Sequence, residues 1–231
     1  MAHSVNKQKE PFMILDSHLH TSEYSADSFL PVVEAVGRAR EMGIDGLCIT
    51  DHDSLGAREV IERWRREMDF PLFLGVEVLT TRGDIVCFGL HEAPRPATLT
   101  PEELIKYVQS CDGCAVAAHP YRNNNRGLGD LIGTLPSLNG VECFNGSTTP
   151  EANLHALEVA RAAGRSLLGA GDAHWRDRVG LFATEFDGEL RDERDLIAAV
   201  REGCCHPLAW NGTGFTDPEA FCREQLKNCK Q

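Results

Sequence analysis

The sequence predicts an α/β protein folded as a closed barrel of parallel strands, on two observations. Short apolar runs alternate with helical patterns about seven times, at the crossover lengths of parallel βαβ units. The residues that follow those runs are repeatedly histidine, aspartate or glutamate. In a parallel barrel the C-terminal strand ends share one mouth, so residues far apart in sequence converge there. An open doubly wound sheet gathers ligands at a single crevice and fits so many contributing strands less well.

The first strand runs from residue 12 to His20. Alternate side chains of an extended backbone point the same way, so His18 and His20 can reach one point in space. The next loop carries Asp27, and a helix over 31–42 presents Val32, Val33, Val36 and Ala39 on one face, with Gly43 as its stop. A second strand over 44–50 runs straight into Asp51, His52 and Asp53. The helix over 55–68 uses Ile61 and Trp64 as core. In the third strand, 71–79, Glu77 sits among apolar neighbours, which is costly for a carboxylate unless it is paired or bound to a cation. Residues 80–84 read as a turn and 85–90 as the returning strand of a hairpin. His91 reads as an ordinary surface histidine.

Thr100, Pro101 and Glu103 mark a helix start, and that helix ends near Cys111. A short buried strand over 114–120 delivers His119. The polar, glycine-containing loop over 121–130 reads as facing a substrate. The strand over 139–146 brings Glu142 and Asn145 to the same kind of position, and a helix follows over 151–163. The strand over 165–171 ends at Asp172 and His174. A strand over 181–186, a helix over 192–201, a strand over 204–210 and a short helix in the tail complete the chain. Residues 1–11 read as a loose tail, and 12–231 as one domain.

Composition narrows the function. A net charge of −12 argues against a long nucleic acid as partner, because many phosphate contacts need a basic surface. No apolar run reaches the length of a membrane span, and the polar N-terminal segment lacks the apolar core of a secretory signal. The nine cysteines are odd in number, and several lie inside apolar runs, which fits buried thiols in a reducing cytoplasm. Cys111 and Cys114 form a CxxC and Cys204 and Cys205 a vicinal pair, without the second CxxC of a zinc finger.

His18, His20, Asp27, His52, Glu77, His119, Glu142, Asp172 and His174 make nine possible metal ligands, five nitrogen and four carboxylate. Singly, each could be a helix cap, a buried ion pair or a surface histidine. Jointly, they exceed the needs of one ion and match two or three divalent ions (zinc, manganese or iron) sharing bridging carboxylates. Metals about 3.5 to 4 Å apart can hold a bridging hydroxide and clamp both oxygens of a phosphoryl transfer.

The blocks LDSHLH, ITDHD, GVEV, AAHP and GAGDAH, in this order, resemble the polymerase and histidinol phosphatase (PHP) family over about residues 12 to 210. The resemblance implies a distorted (β/α)7 barrel, with the metal site at the C-terminal strand ends, and metal-dependent phosphoesterase activity. By that resemblance His18, His20, Glu77 and Asp172 hold one ion. Glu77 bridges to a second ion that takes His119 and Glu142, and Asp27, His52 and His174 surround a third. The short segment over 121–138 departs from members that act on nucleotides and carry a longer insertion there, so their substrate is not carried over.

The expected reaction is hydrolysis of a small phosphate ester by attack of a metal-bridging hydroxide, with Asp172, His52 or His174 moving the proton. Arg122, Arg126 and Arg176 are the candidate phosphate-binding groups, and Asn145 is placed with them or as an orienting residue. Asp51 is a candidate support for His52 or a neighbouring imidazole. Two alternatives stand beside this reading: an amidohydrolase-type enzyme cleaving C–N bonds, and a non-catalytic binding or regulatory module.

Overall fold

The computed structural model describes residues 12–228. The loose tail expected over 1–11 lies outside the described residues. Ten strands form one sheet: β1 (Phe12–Leu19), β2 (Gly46–Ile49), β3 (Leu72–Leu79), β4 (Asp84–Phe88), β5 (Cys114–Ala117), β6 (Gly140–Asn145), β7 (Ser166–Ala170), β8 (Phe182–Asp187), β9 (Cys205–Trp210) and β10 (Phe215–Thr216). Their order across the sheet is β10-β9-β8-β1-β2-β3-β4-β5-β6-β7.

Six helices accompany the strands: α1 (Val32–Met42), α2 (Ile61–Met68), α3 (Pro101–Ser110), α4 (Pro150–Ala162), α5 (Glu193–Glu202) and α6 (Pro218–Asn228). Their ends follow local chemistry. Gly43 closes α1 in the left-handed conformation, its N–H donating to Ala39 and Arg40 carbonyls. Thr100 and Glu103 satisfy each other's backbone N–H groups in a capping box at the start of α3.

Only part of the sheet is parallel, which corrects the expected (β/α)7 barrel. β1, β2 and β3 run together, as do β5, β6 and β7. β4 is antiparallel to both its neighbours, and β8 is antiparallel to both β1 and β9. A strand–helix–strand pattern forces a crossover only if the helix carries the chain to the other end of the sheet. Here Phe88 at the end of β4 pairs with Cys114 at the start of β5, so α3 leaves and returns at the same end.

The sheet curls into a half-barrel whose far edge leans back on β1. The Asp172 N–H donates to the His18 carbonyl (2.8 Å), and the His20 N–H to the Ala173 carbonyl (2.9 Å). On the outside, α1 and α2 pack on β1 to β3 through Val36, Ala39, Ile61 and Leu72, while α3 and α4 cover β3 to β6 through Leu104, Ile105, Leu157 and Ala160. Helix α5 crosses the opposite end from the histidines. Its Leu196, Ile197 and Val200 pack with Leu15, Phe73, Phe88 and Cys114 in a third core cluster, and Val200 accepts a hydrogen bond from Ser166 at the start of β7. The floor is therefore apolar, and the polar ends of six parallel strands gather at the mouth. Among the described residues no helix is long and apolar enough to cross a membrane.

Candidate metal centre

Extended backbone at the end of β1 turns both His18 and His20 inward, and their Nε2 atoms lie 2.9 Å apart. Glu77 of β3 and Asp172, just past β7, complete the group. Glu77 Oε2 is 3.6 Å from His18 Nε2 and 3.5 Å from His20 Nε2, and Asp172 Oδ1 is 3.7 and 3.4 Å from the same nitrogens. All four side chains are buried. Ligand atoms about 2.1 Å from an ion in a tetrahedral shell are about 3.4 Å apart, so this spacing is that of one coordination shell.

Two further groups adjoin it. His119 Nε2 lies 2.8 Å from Glu77 Oε1 and 3.7 Å from Asp84 Oδ2. At the mouth, Asp27 Oδ2 is 3.2 Å from His52 Nε2 and 3.6 Å from His174 Nε2. His52 Nδ1 approaches Glu77 Oε2 at 2.7 Å, yet neither atom makes an aligned hydrogen bond. Glu77 Oε2, Asp172 Oδ1, His52 Nδ1 and His119 Nδ1 are buried polar atoms without a hydrogen-bond partner. Leaving such atoms unpaired is costly, and for the two carboxylate oxygens a divalent cation removes the cost. The donor set therefore fits metal ions.

The electrostatics of the group favour ionised carboxylates and a neutral His20. Burial by itself would raise Glu77 and Asp172, but the surrounding imidazoles, His18 foremost, together outweigh it and hold both carboxyls below their ordinary range. Burial drives His20 down to about 3, leaving a neutral ring with a free lone pair. Burial also disfavours charge on His18, but Glu142, Glu77 and Asp172 prevail and raise it.

The backbone is strained where ligands are delivered. His119 has φ of 29° and Asp172 φ of 49°, both in the left-handed region that costs a side-chain-bearing residue on the order of 1 kcal/mol. Gly171 admits the close approach next to Asp172, since a Cβ there would meet Asp16 Oδ2 at 2.4 Å. Asp16 is wholly buried and accepts from the N–H groups of Gly171 and Gly180, each at 2.8 Å.

Several sequence expectations are relocated. Glu142 does not complete the second group: Oε1 lies 2.7 Å from His18 Nδ1, and Oε2 accepts from the His119 N–H and from Asn145 Nδ2. Asn145, itself buried, is thereby a brace for Glu142 and not a phosphate contact. The Arg126 guanidinium grips Asp84 with two hydrogen bonds, of 2.6 and 3.1 Å. Arg176 pairs with Glu41 of α1, away from the cluster. Arg122 reaches the first group, donating to Asp172 Oδ2 at 2.9 Å. Asp51 supports both His20 and His52 through Ser25: it accepts from Ser25 Oγ, which lies 3.5 Å from His20 Nδ1 and accepts from the His52 N–H at 3.1 Å.

Asp84 is the residue that reading the strand ends overlooks. β4 runs from mouth to floor, so its first residue, not its last, faces the site. The signal was a hairpin partner to β3 that opens on an aspartate. Burial, with Glu77 nearby, pushes that carboxyl up to about 6. Arg178 also went unread. With Trp175 and Asp172 it lines a cleft of about 410 Å3 beside the cluster.

A half-barrel with imidazoles and carboxylates converging at its mouth defines an α/β protein with a site suited to divalent metal ions. The chain belongs to the PHP family: the PHP domain model matches residues 16–145, and the PHP-associated model residues 150–205. An uncharacterised protein of Methanocaldococcus jannaschii is 33% identical over 142 residues, covering 58% of this chain and 82% of that protein. Among solved structures, PsfC from Pseudomonas syringae shares the fold with a TM-score of 0.68 at 17% identity, over 95% of this chain and 98% of its own. The lesion-specific endonuclease EndoQ of Pyrococcus furiosus matches with a TM-score of 0.60 at 16% identity, over 89% of this chain and 58% of its own. An amidohydrolase from Chromobacterium violaceum matches at 0.55 and 17% identity, over 69% of this chain and 87% of its own.

Proposed function

We propose that this protein hydrolyses a small phosphate ester with the help of two or three divalent metal ions. The observation that carries the reading is the shell formed by His18, His20, Glu77 and Asp172, with two buried carboxylate oxygens that lack a hydrogen-bond partner. His119 and Glu77 would hold a second ion, with Asp84 beside them, and Asp27, His52 and His174 a third. Ions bound there supply positive charge for a phosphoryl group and lower the pKa of a bound water.

The chain's own residues complete the chemistry. Arg122, partly exposed at the rim, can turn its guanidinium from Asp172 Oδ2 to a phosphate oxygen, where it makes paired charge-assisted hydrogen bonds. His52 and His174 stand at the mouth with ring centroids 5.6 Å apart. Where two ions bind and the third place is empty, His52, the more exposed of the two histidines, can pass a proton to the departing oxygen, with His174 beside it. The burial of His18, His20 and Glu77 excludes water from the inner side of the site.

The test is a phosphate-release screen over sugar phosphates, nucleotides and simple alkyl esters, with manganese, zinc and iron, run beside an amide panel. Metal-dependent phosphate release that falls at least about 100-fold in His119→Ala supports the reading. Turnover of amides alone refutes it. Protein purified without chelator that carries no metal and gains no activity from any would identify a non-catalytic module.

A further inference from the structure

We propose that the cleft beside the metal cluster is a leaving-group subsite for a flat ring, with Trp175 as its stacking face, so that the preferred phosphate ester carries an aromatic or heteroaromatic group. This rests on the phosphoesterase reading above.

Large hydrophobic side chains exposed among the described residues are Phe12, Phe29, Val33 and Trp175. Phe29 and Trp175 stack on each other, with ring centroids 5.7 Å apart and planes 17° from parallel. A single exposed apolar residue calls for no explanation, but a stacked pair held in water beside a polar site does. The pair is fixed to the mouth. The Phe29 N–H donates to the His174 carbonyl at 2.9 Å, and the Trp175 ring centroid lies 6.0 Å from that of His174.

Trp175 is also a wall of the 410 Å3 cleft, which contains Asp172 of the first metal shell. A phosphoryl group at the cluster would therefore place its ester substituent against Trp175. The cleft has small-molecule size, whereas two exposed rings fall far short of a stable protein interface. Its other walls are the hydroxyl-bearing Ser147, Thr148 and Thr149, with Arg178. Arg122, Arg126 and Arg176 each pair with a carboxylate. Arg178, by contrast, donates to the Gly146 carbonyl at 3.4 Å and has no carboxylate partner among the described residues. Its guanidinium is placed for an acceptor atom on the ring.

Two non-hydrolysable probes, benzylphosphonate and ethylphosphonate, titrated by calorimetry into the metal-loaded protein, test this directly. Stacking on an aromatic face gives the benzyl probe an affinity advantage of about fivefold to tenfold. Trp175→Ala should lose the advantage and Trp175→Phe keep most of it, with metal content unchanged in both. In turnover, the kcat/KM ratio of benzyl over ethyl phosphate should fall in Trp175→Ala through KM. Equal affinities in the wild type, no measurable binding of either probe, or a ratio that survives in Trp175→Ala overturns the proposal. A protein that shows the binding ratio but releases phosphate from no ester refutes the phosphoesterase reading and leaves the ring subsite standing. One that hydrolyses both esters equally well refutes only the subsite.

Discussion

Glu142 Oε1 lies 2.7 Å from His18 Nδ1, the nitrogen opposite the one that faces the cluster. The carboxylate thereby fixes which His18 nitrogen presents its lone pair, and its other oxygen is held by the His119 N–H and Asn145 Nδ2. A carboxylate so placed acts on the metal through the imidazole.

Glu142→Gln is expected to weaken metal binding by about 10- to 100-fold while leaving the number of ions bound at saturation unchanged. Glu77→Gln, which alters an oxygen shared by the groups, should lower that number. Metal titration with elemental analysis checks both. A reduced stoichiometry in Glu142→Gln would return Glu142 to the ligand set.

Metal loading should raise the melting temperature. At about 100 times Kd, a ligand that binds only the folded state adds about 2.7 kcal/mol, or roughly 5–10 °C for a chain of this size. Chelator should reverse the shift in thermal denaturation, and His18→Ala should shrink it. An identical melting curve with zinc, manganese or iron would contradict a resident metal.

Arg122 and Arg126 should separate cleanly. Arg122→Ala is expected to lower kcat/KM for a phosphate ester by about tenfold or more with little change in melting temperature. Arg126→Ala leaves the buried Asp84 carboxylate without its partner and should cost about 2 kcal/mol of stability, a buried-pair value reduced for the partly exposed guanidinium. If Arg126→Ala melts like the wild type but loses substrate affinity, Arg126 is a substrate contact after all.

Asp16 ties the segment after β7 to β1. Asp16→Ala strips the acceptor from three buried backbone N–H groups, those of His18, Gly171 and Gly180, and should cost about 3 kcal/mol. Burial pushes the Asp16 carboxyl up to about 7, so neutral Asp16→Asn should cost less. Chemical denaturation measures both, and a larger loss for asparagine than for alanine would contradict this account.

The convergence of the inner imidazoles and carboxylates was largely legible from residue order. His18 and His20 alternate on extended backbone, and Glu77 sits in an apolar run where a lone carboxylate is unfavourable. His119 and Asp172 follow short buried strands. Such signals are local, because strand periodicity and the cost of burying charge depend on near neighbours in sequence. The arginines were not legible in this way: a loop arginine reads alike whether it meets Asp84, Glu41 or Asp172.

What the sequence by itself determined is strands β1 to β9 with the six helices, and the inward-facing side chains of the parallel strands. The turn over 80–84 already set β4 antiparallel to β3; tertiary structure alone decided that α3 and α5 each return the chain to the end of the sheet they left, because a helix between two strands permits a return to either end. Strand direction in turn decided which end of β4 meets the mouth, and so brought in Asp84. It also decided that Glu142 stands behind His18 and that Trp175 and Phe29 share a rim, since both relations join segments more than 100 residues apart.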